Sequence, residues 1–184
     1  MRRAGVCGSL AVAFAAAVVC APAQAANRRM FSYDPADDAT RHVAGDLTFE
    51  FNQHLASTSV LSVRSTEGDA TARLAHAGEG RLGPGGLGRL IGQGAAERDL
   101  YEVLPADQGA AMIAAFCPGS AHAWMAFPRL RANRDIRLQV LGDSSAGGPA
   151  RLCHTLHFSF HGEWKLPPGP QVDERLMRRP SFPY

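Results

Sequence analysis

A surplus of basic residues is missing from this sequence. Lys165 is the one lysine in the chain, and 19 Lys and Arg stand against 17 Asp and Glu, a formal net charge of +2. Nucleic acids and anionic membrane surfaces are bound through grouped Lys and Arg side chains. We therefore expect neither a nucleic-acid-binding protein nor one that attaches to a membrane surface by charge.

Long apolar runs are also missing, except in the first 25 residues. That segment starts with Arg2 and Arg3, continues in Ala, Val, Leu and Phe, and ends in APAQAA. This order is typical of a cleaved secretory signal peptide at residues 1–25. A retained membrane anchor and a lipoprotein attached at Cys20 are the alternatives. Without Arg2 and Arg3 the basic residues number 17 (19 minus 2) against 17 acidic ones, so we expect a neutral, soluble mature chain.

Cysteine is scarce, and no C-x-x-C motif occurs, so a redox-active dithiol is not expected. Of the four cysteines, Cys7 and Cys20 lie in the predicted signal peptide, which leaves Cys117 and Cys153. In an oxidising secretory compartment two cysteines most simply form one disulfide. Two buried free thiols are the alternative.

Short segments with a period of two are abundant. In DLTFEFNQHL, Leu and Phe alternate with polar residues, which predicts a half-buried strand. Further strands are predicted in SVLSVRS, TARLAHA, AAMIAAFCP, HAWMAF, DIRLQVLG and LCHTLHFSFHGEW. One helical turn is expected within residues 86–96, before a strand at residues 99–104. A turn about every ten residues predicts an all-β domain over residues 46–166, an antiparallel β-sandwich with one short helical connection and one intradomain disulfide.

The flanks of this domain are expected to lack regular structure. Residues 26–45 are polar and contain the turn-like sequence DPADD, which predicts a flexible lead-in. Residues 167–184 are rich in proline and charge, which predicts an extended polar tail.

Three histidines stand close together in HTLHFSFHGEW, residues 154–164. On a helix, His154, His157 and His161 would share one face and form a plausible row of metal ligands. The aromatic content and the glycine favour a strand instead. On a strand, His157 and His161 lie about 13 Å apart, too far to share one ion. A metal held together with ligands from neighbouring strands is the alternative.

The opposite face of this predicted strand is apolar. Leu156, Phe158, Phe160 and Trp164 alternate with the polar residues, so they are expected to be buried. Truncation of Phe158, Phe160 or Trp164 to Ala is expected to cost about 3 to 5 kcal/mol of stability.

No catalytic, cofactor or metal site is predicted. The nearest candidate is GDSSAGG, residues 142–148, in which Ser144 and Ser145 faintly resemble the G-D-S-G-G of serine proteases, although these residues are ordinary in hairpin loops. GPGGLG at residues 83–88 matches G-x-G-x-x-G by letter, but no βαβ pattern surrounds it. We therefore expect a binding or assembly module and not an enzyme.

The order of these features resembles the luminal domain of the ER membrane protein complex subunit 10 family. The resemblance is carried by DLYEVLP, with Leu100 and Tyr101 before Pro105, by FCPGS and DIRLQVLG, and by the separation of the two cysteines. A last strand that runs into WKLPPGP and the charged DERL completes it. The resemblance covers about residues 46–176.

The resemblance implies a non-catalytic accessory subunit, without a cofactor, on the luminal side of the endoplasmic reticulum. Its partners would be the other luminal subunits of a complex that inserts transmembrane proteins, including tail-anchored ones. By position, Cys117 and Cys153 would correspond to the family's intradomain disulfide. Many members continue into a C-terminal transmembrane helix, whereas this sequence ends at Tyr184, either because this form is soluble or because the sequence is truncated. Membrane association is expected to be indirect, through partners.

A secreted β-sandwich that binds a carbohydrate or protein ligand is the alternative function. Sugar recognition requires exposed aromatic side chains beside hydrogen-bonding groups, and His122 beside Trp124 is a position that could contribute to a binding surface. An enzyme built on Ser144, Ser145 and the histidines is a third possibility. Mutation of both serines without loss of function would exclude it.

Overall fold

The computed structural model describes residues 27–53, 58–143 and 148–166 of the chain. In these residues eight antiparallel strands form one sheet that closes into a barrel, because the last strand pairs with the first. The strands are β1 (Asn27–Pro35), β2 (Leu47–Gln53), β3 (Thr58–Ser65), β4 (Ala70–His76), β5 (Asp99–Val103), β6 (Ala123–Phe127), β7 (Ile136–Asp143) and β8 (Ala150–Lys165). The described helices are α1 (Asp38–Ala44), α2 (Gly86–Ile91) and α3 (Gly109–Phe116).

The prediction of a β-sandwich is wrong, although the all-β class and the antiparallel pairing are confirmed. A sandwich has edge strands, whereas this barrel has none. β8 is 16 residues long, and it pairs with β7 over Ala150–Phe158 and with β1 over Phe158–Lys165. Strands of sandwiches and of barrels alternate with the same period of two, so the sequence pattern could not distinguish the two folds.

The lead-in predicted at residues 26–45 is wrong over residues 27–44, which are regular structure. They form β1, whose residue Tyr33 is fully buried inside the barrel, and then α1. Asp37 caps α1, because its side chain accepts a hydrogen bond at 2.7 Å from the backbone N–H three residues later. Gly45 follows the helix with a φ of +57°, a conformation that glycine adopts readily. The polar letters DPADD are therefore the end of a strand and the cap of a helix.

The predicted strand in AAMIAAFCP is also wrong, because these residues form α3. Met112, Ile113 and Phe116 are buried, which is the spacing of one face of a helix. The run is apolar almost throughout and rich in alanine, the residue with the highest helix propensity, and neither period stands out in it. At the start of the helix a Cβ atom on Gly109 would collide with the carbonyl oxygen of Leu104, so only glycine fits there.

The remaining predicted strands are confirmed. They appear as β2, β3, β4, β5, β6, β7 and β8, and the predicted helical turn appears as α2. The predicted signal peptide at residues 1–25, the polar tail at residues 167–184, Ser144 and Ser145 lie outside the described residues.

The predicted disulfide between Cys117 and Cys153 is confirmed. It joins the residue that follows α3 to β8, and the two Cα atoms lie 5.5 Å apart.

We call the end of the barrel where β2 begins and β7 ends the closed end, because α1 and α3 pack there on each other and on the strands. The opposite end, where β2 ends and β7 begins, is the open end.

Aromatic side chains fill the interior of the barrel. The ring of Phe31 meets Phe51 edge to face at a centroid distance of 4.6 Å and Phe160 at 5.5 Å. In the same core, the ring of Tyr101 stacks on that of Phe127 at a centroid distance of 5.3 Å. An eight-stranded barrel has an interior just wide enough for side chains, and these buried rings occupy it.

A second apolar cluster lies outside the barrel, beneath α2. There Leu87 belongs to one cluster with Trp124 of β6 and Leu141 of β7. The guanidinium group of Arg89 donates a hydrogen bond of 3.1 Å to the carbonyl oxygen of Ala150. α2 is thereby fastened to the barrel wall.

The predicted core face of β8 is correct for three of its four residues. Leu156 and Phe158 are buried, and Phe160 is partly buried against the core. Trp164 is 47% exposed, so the prediction of its burial is wrong.

A β-bulge explains the exposure of Trp164. Gly162 and Phe160 pair with consecutive residues of β1, which makes His161 between them an extra residue. An extra residue reverses the alternation of faces along the rest of the strand. Trp164 therefore lies on the outer surface, where it stacks on His161 at a centroid distance of 6.1 Å.

Within the part of the chain that the structure describes, no helix has both the length and the hydropathy needed to cross a membrane.

Candidate functional site

The histidines of β8 do not come together. His157 and His161 are exposed, and Nδ1 of His161 lies 2.9 Å from a carboxylate oxygen of Asp34. His154 is half-buried, and its burial, together with the charge of Arg151, lowers its pKa. Among the described residues, no three His, Cys, Asp or Glu side chains are grouped so that they could hold a metal ion.

A histidine and a buried aspartate meet at the closed end instead. Asp143, the last residue of β7, is 2% exposed. Its carboxylate accepts hydrogen bonds from the backbone N–H groups of Ala121 and His122, at 2.8 and 3.0 Å, and from Nδ1 of His122 at 2.9 Å. Burial alone would raise the pKa of Asp143, but these three hydrogen bonds outweigh it and lower the pKa.

The hydrogen bond to Asp143 orients the ring of His122. An ionised carboxylate only accepts hydrogen bonds, so Nδ1 of His122 is the donor in this contact. The ring centroids of His122 and Trp124 lie 6.1 Å apart, and the two ring planes make an angle of 28°. Such a pair orients the general base in hydrolases, which also require a nucleophile beside the histidine. In the described ranges, no hydroxyl or thiol is hydrogen-bonded to the His122 ring.

The segment GDSSAGG, the nearest candidate for a catalytic site in the sequence, begins as the end of β7. A Cβ atom on Gly142 would collide with Sγ of Cys117, so glycine lets β7 pass beneath the disulfide. Ser120 donates a hydrogen bond of 2.6 Å to the carbonyl oxygen of Asp143. The pair of His122 and Asp143 therefore joins the start of β6 to the end of β7.

The glycine-rich segment at residues 83–88 holds one of the protein's own carboxylates. Glu79 accepts a hydrogen bond of 3.2 Å from the backbone N–H of Leu87. In a dinucleotide site, such N–H groups face a phosphate. Here the carboxylate of Glu79 takes that place, and the segment is a surface connection that carries α2.

An open cleft of about 520 Å³ lies on the outer wall beside the start of β7. Its most buried polar residue is Glu97, which is 2% exposed and accepts a 3.1 Å hydrogen bond from Arg137. That hydrogen bond lowers the pKa of Glu97 although burial opposes it. Asp135, also in the cleft, accepts a hydrogen bond of 2.9 Å from the backbone N–H of Phe160. These charged groups already hold partners within the protein.

The open end of the barrel holds a pocket of about 280 Å³, here called the mouth pocket. Its floor is apolar, because it consists of the buried residues Phe31, Phe51 and Leu130. Its rim consists of Arg29, Gln53, Thr58, Arg129, Arg131 and Ala132. Of the described residues that line the pocket, three are arginines and none is an aspartate or a glutamate.

Two of the rim arginines have hydrogen-bond donors or charge that the described residues leave without a partner. Arg29 pairs with Glu163 through one terminal nitrogen at 2.6 Å, but its Nε is buried and has no acceptor among the described residues. A buried donor without an acceptor costs about 1 to 3 kcal/mol. No carboxylate in the described part of the chain pairs with Arg131.

The sequence patterns did not predict the mouth pocket. Arg29 stands far from Arg129 in sequence and falls in the segment predicted to be a flexible lead-in. PRLRANR, residues 128–134, was the one local signal, because Leu130 stands between two arginines and is buried although it lies in a connection. Only the closure of the barrel by β1 brings Arg29 and these residues together.

The comparisons with known proteins identify no relative. No family model, no curated protein and no solved structure matches the chain. The function must therefore be inferred from the sites of this chain and not from its fold.

Proposed function

We propose that this chain is a non-catalytic binding module that is exported to an oxidising compartment, and that the mouth pocket is its ligand site. The observation that carries this proposal is the difference between the two ends of the barrel. The closed end is filled by α1 and α3 and tied by the disulfide. The open end holds a concave site with an apolar floor and a few polar groups, the arrangement typical of small-molecule sites.

Two features support the exported compartment. Disulfides persist in oxidising compartments and are rare in the cytosol, and the chain contains one between Cys117 and Cys153. The signal peptide predicted at residues 1–25 agrees with this location. Export remains a proposal, which detection of a mature chain shortened at its N-terminus, in the extracytoplasmic fraction, would support.

A screen of small molecules tests the position of the ligand site. We would titrate a fragment library of neutral, cationic and anionic compounds into the ¹⁵N-labelled protein and follow its backbone amides by NMR. We expect saturable shifts that cluster at Arg29, Phe51 and Leu130. Shifts that cluster at another surface, or a library without a single saturable binder, would contradict the proposal.

An ester assay tests the absence of catalysis. His122 and Asp143 are the described residues that most resemble part of a hydrolase site. We expect the purified protein to hydrolyse p-nitrophenyl acetate no faster than its His122→Gln variant. Hydrolysis with a rate that falls at least tenfold in this variant, while the fold is retained, would contradict the absence of catalysis at this pair.

The accessory role in the ER membrane protein complex stays a prediction of the family resemblance. The β-sandwich implied by that resemblance is not the fold of this chain, so the binding module is the better supported proposal. Affinity purification of the tagged protein from gently solubilised cells separates the two roles. Recovery of the other subunits of the complex would support the accessory role, and recovery of the protein alone would contradict it.

A further inference from the structure

We propose that the mouth pocket binds a small anionic amphiphile, that is, a molecule with a carboxylate or phosphate head group on a short apolar body. This inference rests on the proposed function, because it names the ligand class of the same site. Its basis is the juxtaposition of three arginines, contributed by β1 and by the connection after β6, over a floor of core side chains.

The rim is suited to the head group. Guanidinium groups bind carboxylates and phosphates through paired, charge-assisted hydrogen bonds. Arg29 has a buried Nε–H that no described residue accepts, and Arg131 has no carboxylate partner in the described ranges. No described acidic side chain lines the pocket, so a cationic ligand would find no carboxylate in its lining.

The floor is suited to a short apolar body. Phe31, Phe51 and Leu130 form it, and they are 4%, 2% and 6% exposed. Edge-to-face contacts with Phe51 and with Phe160 hold the ring of Phe31 in this floor. The pocket volume of about 280 Å³ lies just under the range of drug-sized sites. A long lipid chain therefore does not fit, and an inorganic anion would leave the apolar floor without a partner.

Four probes separate the contributions of charge and apolar body. We would titrate octanoate, 1-octanol, octylamine and acetate into the purified full-length chain, and follow the amides of the mouth pocket by NMR. Octanoate is expected to bind saturably at this pocket, at least tenfold more tightly than each of the other three probes. Binding should weaken as the salt concentration rises, because the head group is held by charge.

Variants on one loop provide a matched control. Arg129, Arg131 and Arg134 are exposed residues of the same connection, but Arg134 does not line the pocket. Arg131→Gln is expected to weaken octanoate binding at least tenfold, and Arg129→Gln to weaken it as well. Arg134→Gln removes the same charge outside the pocket and should change the affinity less than twofold. Circular dichroism would verify that all three variants are folded.

The outcomes distinguish this inference from the proposed function. Saturable binding of octanol or octylamine at the mouth pocket, as tight as that of octanoate, would keep the binding module and overturn the anionic ligand class. Equal losses in Arg131→Gln and Arg134→Gln would also overturn it, because the charge effect would then be unspecific. Equal affinity for acetate and octanoate would overturn the claim that the ligand has an apolar body. Absence of octanoate binding overturns the inference, and only failure of the fragment screen at the same pocket would overturn the proposed function.

Discussion

Asp143 carries its charge in a place from which water is almost excluded. A buried carboxylate is stable only when hydrogen bonds replace its hydration. Two backbone N–H groups and the ring of His122 supply them. The pair of Asp143 and His122 therefore connects β7 to the start of β6 at the closed end. The contribution of this pair to stability depends on the ionisation of the Asp143 carboxylate.

Asp143→Asn is expected to lower the free energy of unfolding by about 1.5 to 3 kcal/mol at neutral pH, because hydrogen bonds to a charged group have about this strength. The pKa of Asp143 is lowered in the folded protein. Its contribution is therefore complete above the unfolded pKa of about 4 and is lost as the pH falls through the lower folded value. Urea unfolding at several pH values should show a full gap between wild type and variant at pH 5 that shrinks toward pH 3.

Asp38→Asn is the matched control for this change. The side chain of Asp38 is 94% exposed, and its pair with Arg41 spans 4.0 Å. Exposed ion pairs contribute little, so this variant should stay within about 0.5 kcal/mol of wild type at every pH. A gap for Asp143→Asn that is equally large at pH 3 and pH 5 would contradict the role assigned to its charge.

At the scale of the element, β8 shows how one extra residue decides which side chains are buried. Up to Phe160 the aromatic residues alternate into the core, as the period of two predicts. Beyond His161 the faces are exchanged, so Trp164 is outside. A bulge of this kind depends on the partner strand, and here it is the pairing of β8 with β1 that defines it.

The two aromatic residues on either side of the bulge should respond differently to truncation. Phe158→Ala is expected to lower the free energy of unfolding by about 3 to 5 kcal/mol, because it leaves a cavity in the core. Trp164→Ala should change it by less than about 1 kcal/mol, because the side chain is half-exposed on the surface. Chemical denaturation of both variants measures this difference, and equal losses would show that the bulge does not reverse the faces.

At the scale of the whole molecule, two connections join parts of the barrel that are far apart in sequence. The pairing of β1 with β8 joins the ends of the sheet, and the disulfide joins the end of α3 to β8 across 36 positions of sequence. The disulfide acts mainly on the unfolded chain, whose entropy it reduces. The folded barrel should therefore keep its architecture without it, at lower stability.

The double variant Cys117→Ala and Cys153→Ala is expected to lose about 3 to 4 kcal/mol, the chain-entropy value for a loop of this length. Guanidinium unfolding without reductant measures the loss. Adding reductant should destabilise the wild type by a similar amount and leave the stability of the double variant unchanged. The double variant is therefore the control for effects of the reductant other than cleavage of the disulfide. Peptide mapping that recovers both wild-type cysteines as free thiols would contradict the disulfide.

The sequence by itself determined the local structure. A period of two is a property of one strand, and it correctly predicted seven of the eight strands that the structure describes and the inward face of β8 up to Phe160. The disulfide could also be predicted, because Cys117 and Cys153 are the only cysteines outside the predicted signal peptide. DPADD and AAMIAAF were misread, because a cap and a short apolar helix carry little periodicity of their own.

Only the tertiary structure decided the closure of the sheet, the orientation of Trp164 and the assembly of the mouth pocket. Each depends on which residues pair across long stretches of sequence, and a period of two contains no information about partners. β1 is the common cause, since it pairs with β8, sets the bulge beside His161 and carries Arg29 to the arginines of the connection after β6. The candidate site is thus a property of the closed barrel, whereas its strands are properties of the sequence.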